Sequence, residues 1–249
     1  MNVVILAAGI GRRMKSHFPK VLHQICGKPM ICYVLDAIQC FEDSRIIVVV
    51  PPNSSEIKNI IIQSNNQKRK PKFVVQRRAL GTGDAIKSAL PVIRDSAPTL
   101  ILFGDVPLLT KKSLTNFINR FKTGEAISIL TTKLKNPKGY GRVIRGEKKE
   151  ILAIREETDA SVKEKRITEI YAGPMIIRTK FLKHTISEIQ QDNQQSEFYL
   201  TDLVEKAAEK KLNLNSYELK DADEILGVNT TKQKLEAERI LIKKRYCFV

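Results

Sequence analysis

The sequence predicts an α/β fold built on a largely parallel sheet, and three observations carry that prediction. Short runs such as Val3-Val4-Ile5-Leu6, Ile46-Ile47-Val48-Val49-Val50 and Thr99-Leu100-Ile101-Leu102-Phe103 have strand length and are apolar throughout, as strands covered on both faces must be. Stretches with apolar residues at helical spacing separate them, which is the alternation that builds βαβ units. Each run feeds a loop rich in glycine or proline. Ligands of such sheets bind at the carboxyl ends of the strands, so these loops are where a site is expected.

The first run leads into Leu6-Ala7-Ala8-Gly9-Ile10-Gly11-Arg12-Arg13-Met14 and on to Pro19-Lys20. Small residues at 7, 8, 9 and 11 let backbone N–H groups approach a ligand, and concave N–H clusters bind anions. Arg12, Arg13, Lys15 and Lys20 add positive charge beside them. A dinucleotide fingerprint needs a third glycine where Met14 stands, and no P-loop ending in Gly-Lys-Ser/Thr is present. The turn is a phosphate-binding candidate of neither type, against the plain alternative of a glycine-rich turn with incidental charge.

Apolar spacing over Pro29–Phe41 predicts a helix, with Pro29 suited to its start. The strand Ile46–Val50 is stopped by Pro51-Pro52, and a helix over about Ser54–Gln63 leads through polar, basic residues to a strand, Phe73–Gln76. Next, in Leu80-Gly81-Thr82-Gly83-Asp84, two glycines bracket a hydroxyl at a helix entry. Such a loop holds a base edge and a phosphate, or is simply a helix start capped by Thr82 or Asp84. The strand Thr99–Phe103 delivers Gly104-Asp105-Val106-Pro107, where a carboxylate on a rigid turn suits a hard cation such as Mg2+.

A helix over about Ser113–Phe121 and a strand, Ala126–Thr132, open the second half. Gly139-Tyr140-Gly141-Arg142 and Glu150–Asp159 then read as short strands or a hairpin at the sheet edge. Gly141 permits close backbone approach, and Glu156 is an acceptor for sugar hydroxyls. Glu169–Ile177, Glu197–Asp202 and Gly227-Val228-Asn229 complete the series before a final helical stretch, Leu235–Arg245. Singly, each is an ordinary strand turn or helix cap.

The chain has 249 residues and 42% hydrophobic content, enough for one large domain with a real core. No run is long enough to span a bilayer and the N-terminus lacks signal-peptide features, so a cytoplasmic location is expected. Cys26, Cys32, Cys40 and Cys247 form no CxxC pair, and with three histidines no metal-ligand spacing emerges. The net charge of +16 raises nucleic-acid binding as a class. The basic residues are nevertheless scattered through Lys68-Arg69-Lys70, Arg77-Arg78, Lys111-Lys112, Lys148-Lys149 and Lys243-Lys244-Arg245, without stacking aromatics or a helix-turn-helix pattern. A solvated basic surface favouring anionic small-molecule substrates, and no nucleic acid, is the preferred reading.

The pattern L-A-A-G-x-G-x-R-M…P-K resembles the signature of sugar nucleotidylyltransferases. With P-K-V-L-H, G-K-P-M, L-G-T-G-D-A, G-D-V-P-L, G-Y-G-R, E-F-Y-L-T-D and G-V-N in that order, the chain closely resembles a more specific family. This is the uridylyltransferase half of bacterial bifunctional N-acetylglucosamine-1-phosphate uridylyltransferase/glucosamine-1-phosphate acetyltransferases, matched from about residue 2 to about residue 240. The resemblance implies a three-layer, Rossmann-like nucleotide-diphospho-sugar transferase fold with a mixed, mostly parallel sheet. It also implies transfer of UMP from UTP to N-acetylglucosamine 1-phosphate with Mg2+ as cofactor, for cell-envelope precursor synthesis.

By the same resemblance, Leu6, Ala7, Ala8, Gly9, Gly11, Gln76, Gly81 and Thr82 hold the uracil and nucleotide, and Phe103 and Gly104 belong to the same substrate-binding set. Arg13 and Lys20 are catalytic and meet the triphosphate. Asp105 and Asn229 hold Mg2+. Gly141, Glu156 and Tyr171 face the sugar. The family generally has Asn where Tyr171 stands and Gly where Ser196 stands. A phenol cannot reproduce a carboxamide's paired donor and acceptor, so a different sugar 1-phosphate or nucleotide remains open, as does a catalytically weak nucleotide-sugar binder. Residues 1–228 read as the nucleotidylyltransferase domain and 229–249 as a C-terminal helix and tail. No hexapeptide repeat follows, so no acetyltransferase is implied. The apolar side of the final helix packs on the domain by default, with a partner or a membrane surface as the alternatives.

Overall fold

The computed structural model describes residues 1–9, 11–14, 18–64 and 70–246. Lys15, Lys68, Arg69 and Cys247, singled out above, lie outside the described residues. The first half runs β1 (Asn2–Leu6), a small hairpin of β2 (Gln24–Ile25) and β3 (Lys28–Pro29), α1 (Met30–Ala37), β4 (Arg45–Val50), α2 (Ser55–Gln63), β5 (Lys72–Val75), α3 (Thr82–Ala89), β6 (Thr99–Phe103) and α4 (Lys111–Arg120). The second half runs β7 (Glu125–Lys133), β8 (Arg142–Arg145), β9 (Ile151–Arg155), β10 (Glu169–Ile177), α5 (Thr179–Thr185), α6 (Asp202–Glu209), β11 (Asn213–Glu218) and α7 (Thr231–Tyr246).

The main sheet has the order β11-β7-β10-β6-β1-β4-β5, with the β8–β9 hairpin attached to β10 at Ile170 and Arg142. β1 pairs in parallel with β4 and β6, β4 with β5, and β11 with β7. β10 is antiparallel to both β6 and β7, so along that path it alone runs against the rest. The sheet is mixed and mostly parallel, as predicted.

Alternation along the strands builds two cores. Val3 and Ile5 of β1 and Val48 of β4 face α1, α2 and α4, meeting Ile31, Ile57, Leu114 and Phe117. Val4 and Leu6 face the opposite layer, meeting Ile86 of α3, Leu182 of α5 and Leu203 of α6. Each such side chain removed from water contributes about 1.5–3 kcal/mol, which is why strands apolar on both faces settle between two helical layers.

Several boundaries differ from expectation. α1 stops at Ala37 rather than reaching Phe41, because tight turns take over: Ile38 N–H bonds Leu35 O and Gln39 N–H bonds Asp36 O, both at 3.2 Å. α4 starts two residues early, where the Thr110 hydroxyl accepts from Ser113 N–H at 3.2 Å. Neither Thr82 nor Asp84 caps α3; its N-cap is Gly81. β11 was not foreseen, since Asn-Leu-Asn-Ser-Tyr-Glu is a partly exposed edge strand with no apolar run. α7 begins at Thr231 and packs on the β2–β3 hairpin, burying Ala237 beside Ile25, Met30, Leu108 and Val228. Leu235 and Ile242 stay half-exposed. Among the described residues no helix is long and apolar enough to cross a membrane.

Candidate active site

The carboxyl ends of β5, β4, β1 and β6 lie side by side and deliver the predicted loops to one edge of the sheet. Leu6 stands opposite Phe103 in register. Beyond the strands, Ala7 N–H bonds Val49 O at 2.8 Å, Gly104 N–H bonds Leu6 O at 2.9 Å, and Gln76 N–H bonds Val50 O at 2.9 Å. Leu6, Ala7 and Ala8 are buried, whereas Gly9 is exposed with open space where a Cβ would stand. Gly11 has φ +67°, and a Cβ there would come within 2.7 Å of the Lys20 Cβ, so the turn closes directly on that lysine.

Lys20 is buried in a short 3-10 turn, and its ammonium pairs with the Asp105 carboxylate. It also donates to Asn229 Oδ1 at 2.6 Å, and Arg13 Nη2 donates to the same oxygen at 2.8 Å. Four predicted residues from three distant segments thus share one cluster. The placement of Asn229 is held by the backbone: Val228 N–H bonds Asp105 O at 2.9 Å, and Asn229 N–H bonds Gln233 Oε1 of α7 at 2.9 Å. Buried Glu224 ties the preceding turn to the start of α4, accepting from Thr110 N–H at 2.8 Å and from the Ser113 hydroxyl at 2.9 Å.

The donor set of Asp105 and Asn229 suits Mg2+. Both present hard oxygens, and one cationic group already contacts the two at once. Mg2+ takes few protein oxygens and completes its shell with water and substrate phosphate. Among the described residues no group of three or more His, Cys, Asp or Glu side chains stands together as a metal cage.

The Leu80–Gly83 loop is clasped by the segment Phe198–Leu200. Gly83 N–H bonds Phe198 O at 2.7 Å, Phe198 N–H bonds Leu80 O at 2.8 Å, and the Thr82 hydroxyl accepts from Leu200 N–H at 2.9 Å. Gly81 has φ +103°, and a Cβ there would lie 2.6 Å from Phe198 O. The Gln76 side-chain amide donates to Gly81 O at 3.0 Å and to Asp84 Oδ2 at 2.9 Å, holding the loop beside the strand end.

On the other side, Gly141, Glu156 and Tyr171 meet. Tyr171 N–H bonds Gly141 O at 2.8 Å, and a Cβ on Gly141 would lie 3.5 Å from Glu156 Oε2. Buried Tyr171 turns its hydroxyl back onto Gly173 O, across an irregularity in β10 where Gly173 has φ +106°. Phe103 packs on that glycine. Glu156 Oε1 accepts from the Thr201 hydroxyl at 2.9 Å. Burial pushes the Glu156 carboxyl up from its ordinary pKa, against the Thr201 bond, and Asp159 and Glu197 add like charge. Burial, with Glu156 beside it, also raises the Tyr171 phenol.

Sequence reasoning missed Thr201 and the clasp at Phe198–Leu200. The Glu-Phe-Tyr-Leu-Thr-Asp stretch marked them, but it read as a helix opening alone. A cavity of about 380 Å³ next to Glu156 is lined by the carboxylates of Glu156, Asp159, Glu188, Asp192, Asp202 and Glu205, with Arg155 and Lys206 among them. The lining is predominantly acidic, in contrast to the cationic Arg13–Lys20 edge.

Residues 3–195 match the family model of the MobA-like NTP transferase domain. The chain belongs to the MobA-like NTP transferase family. Its domain is therefore a nucleotidyltransferase, and the glycine-rich turn at 6–11 opens that family's match. Among curated relatives it is 39% identical over 240 residues to the bifunctional protein GlmU of Paraburkholderia phymatum and 40% identical over 240 residues to that of Cupriavidus necator. Each comparison covers 96% of this chain and 52% of the relative, so the chain spans about half the length of the curated relatives it matches. In fold, this NTP transferase domain is similar to a solved UDP-glucose pyrophosphorylase complexed with UDP-glucose, with a TM-score of 0.72 and 19% identity over 98% of both chains.

Proposed function

We propose that the chain catalyses transfer of UMP from UTP to N-acetylglucosamine 1-phosphate, releasing UDP-N-acetylglucosamine and pyrophosphate. The observation that carries this reading is the convergence of Arg13, Lys20, Asp105 and Asn229 at the carboxyl edge of β1 and β6. A module that only binds nucleotide sugars has no need of an oxygen-donor pair next to two cations. The ordered motif series that resembles the uridylyltransferase family supports uridylyl transfer and an N-acetylglucosamine acceptor.

In this mechanism an oxygen of the sugar 1-phosphate attacks the α-phosphorus of UTP. The bond to the β-phosphate breaks, and pyrophosphate leaves in line. The chain's residues supply position and charge rather than a nucleophile. Arg13 and Lys20 offset negative charge on the transferring and leaving phosphates. The backbone of Leu6–Gly9 and Gly11 and the Gly81–Thr82 loop hold the nucleotide, while Gly141 and Glu156 orient the sugar. Asp105 and Asn229 would hold Mg2+, which when bound neutralises phosphate charge and aligns the phosphates.

A second reading keeps the chemistry and changes the acceptor. It is favoured by Tyr171, whose hydroxyl is committed to Gly173 O and so offers the sugar a ring rather than a carboxamide's donor and acceptor. Both are tested by pyrophosphate release with Mg2+, UTP or another NTP, and a panel including N-acetylglucosamine and glucose 1-phosphates. Release with the N-acetylglucosamine compound, lost in Asp105→Ala, supports the first reading. Release with another sugar alone supports the second, and silence with every pair removes both.

A further inference from the structure

We propose that the Arg142–Glu157 ion pair is a positioning device for the acceptor side of the site, holding Gly141 against Glu156 and thereby setting affinity for the sugar 1-phosphate. The inference rests on the acceptor subsite proposed above and adds to it two residues whose side chains bond each other and the loop at 139–140.

Arg142 opens β8, and its side chain is 2% exposed. Nη2 donates to Glu157 Oε2 at 2.7 Å, and Nη1 donates to the Tyr140 carbonyl. The same Glu157 oxygen accepts from Gly139 N–H at 3.0 Å. Gly139 and Arg142 thus meet on one carboxylate and the Arg142 guanidinium also holds the Tyr140 carbonyl, with Gly141 in their midst. Gly141 has little freedom left: its carbonyl accepts from Tyr171 N–H, and a Cβ on it would lie 2.9 Å from Ile154 Cγ2 and 3.5 Å from Glu156 Oε2.

A buried guanidinium is a costly way to fill space. Taking it from water costs several kcal/mol that pairing only partly offsets, and Arg142 Nε is buried without a partner. An apolar residue of similar volume would serve packing better. What an apolar residue cannot do is bridge the Tyr140 carbonyl to the Glu157 carboxylate with two directed bonds. Burial pushes the Glu157 carboxyl up, but the Gly139 amide and Arg142 outweigh it and hold the group below its ordinary pKa, so the acceptor is charged at neutral pH.

The two neighbouring carboxylates at the end of β9 consequently diverge. Glu156 turns to Thr201 and the site; Glu157 turns to Arg142 and Gly139. None of these bonds involves Arg13, Lys20, Asp105, Asn229 or the Gln76–Asp84 loop. Loosening the pair should therefore act first on the acceptor through Gly141, although Tyr140, whose phenol bonds the Gly227 backbone, links the same loop toward Asp105.

The test is steady-state pyrophosphate release by Glu157→Gln and Glu157→Ala, varying UTP and the sugar 1-phosphate separately and recording melting temperature. Glu157 is 28% exposed, so both variants are expected to fold. The expected result is an acceptor KM raised roughly tenfold in Glu157→Gln, as for loss of one charge-assisted hydrogen bond, and further in Glu157→Ala. UTP KM and kcat should stay within about twofold, and Arg142→Gln should reproduce the same split. An unchanged acceptor KM, or equal rises in both KM values, overturns the inference while the unaltered protein's activity leaves the functional reading standing. Silence of the unaltered protein with every acceptor removes that reading and this inference together.

Discussion

Lys20 and Asp105 form an ion pair at the adjoining ends of the first and sixth strands, and the lysine also reaches Asn229 Oδ1 at 2.6 Å. The lysine side chain is 10% exposed and the aspartate 21%, so the pair sits where water screens it weakly. One cation thereby stands against the two oxygens assigned to Mg2+.

Chelation tests that arrangement. EDTA should abolish pyrophosphate release, and added Mg2+ should restore it. The melting temperature should not fall on chelation, because Lys20 already satisfies the Asp105 charge. A melting temperature that drops by several degrees would mark a structural metal instead.

Replacing Lys20 or Arg13 by Met should lower kcat by about 10²–10³-fold, the loss typical of removing one preorganised electrostatic group. Far-ultraviolet circular dichroism should be unchanged. Turnover within threefold of the unaltered protein would remove the assigned role.

Gly81→Ala should damage both stability and nucleotide use. At φ +103° a side chain is strained, and its Cβ would press on Phe198 O. Relief means opening the clasp between the Leu80–Gly83 and Phe198–Leu200 segments. The expected cost is about 1–3 kcal/mol with a raised UTP KM, read from denaturant unfolding and kinetics. A raised acceptor KM alone would contradict it.

Asp202 gives a pH dependence of stability. It opens α6, where a helix N-terminus favours negative charge. Burial, followed by Glu205, Asp192 and Glu156, nevertheless pushes its pKa up to about 7. The folded state therefore holds a proton that the unfolded chain releases near pH 4. Stability is full below that pH and is lost as pH rises toward 7. With the shift discounted for the side chain's partial exposure to screening water, Asp202→Asn should raise stability at pH 8 by at most on the order of 2 kcal/mol and leave it unchanged at pH 4, measured by thermal unfolding. Equal effects at both pH values would show that the titration does not matter.

Much of the sheet was legible because its central strands are apolar on both faces, a pattern that few other structures produce. Val3–Leu6, Ile46–Val50 and Thr99–Phe103 lie where they were read, and the loops after them form the candidate site. The polar edge strand at Asn213–Glu218 was not legible, since its stability comes from pairing with β7 rather than from its own composition. The same reason hid the helix entry at Gly81: Thr82 looked like a cap, but its hydroxyl is used by Leu200, 118 positions away. Arg142 read as part of a G-Y-G-R motif, and nothing local announced that it would be buried on Glu157.

By itself the sequence determined the α/β class, the family, and the residues whose chemistry suits phosphate and a hard cation. These depend on composition and spacing along the chain, which strand and turn physics converts directly into local structure. Only the tertiary structure decided which of those residues share a place. Asn229 joins Asp105 through a backbone bond from Val228, Thr201 meets Glu156 across two segments, and Tyr171 spends its hydroxyl on its own strand. Contacts between distant segments follow from how both faces of the sheet are covered, and that depends on the whole chain at once.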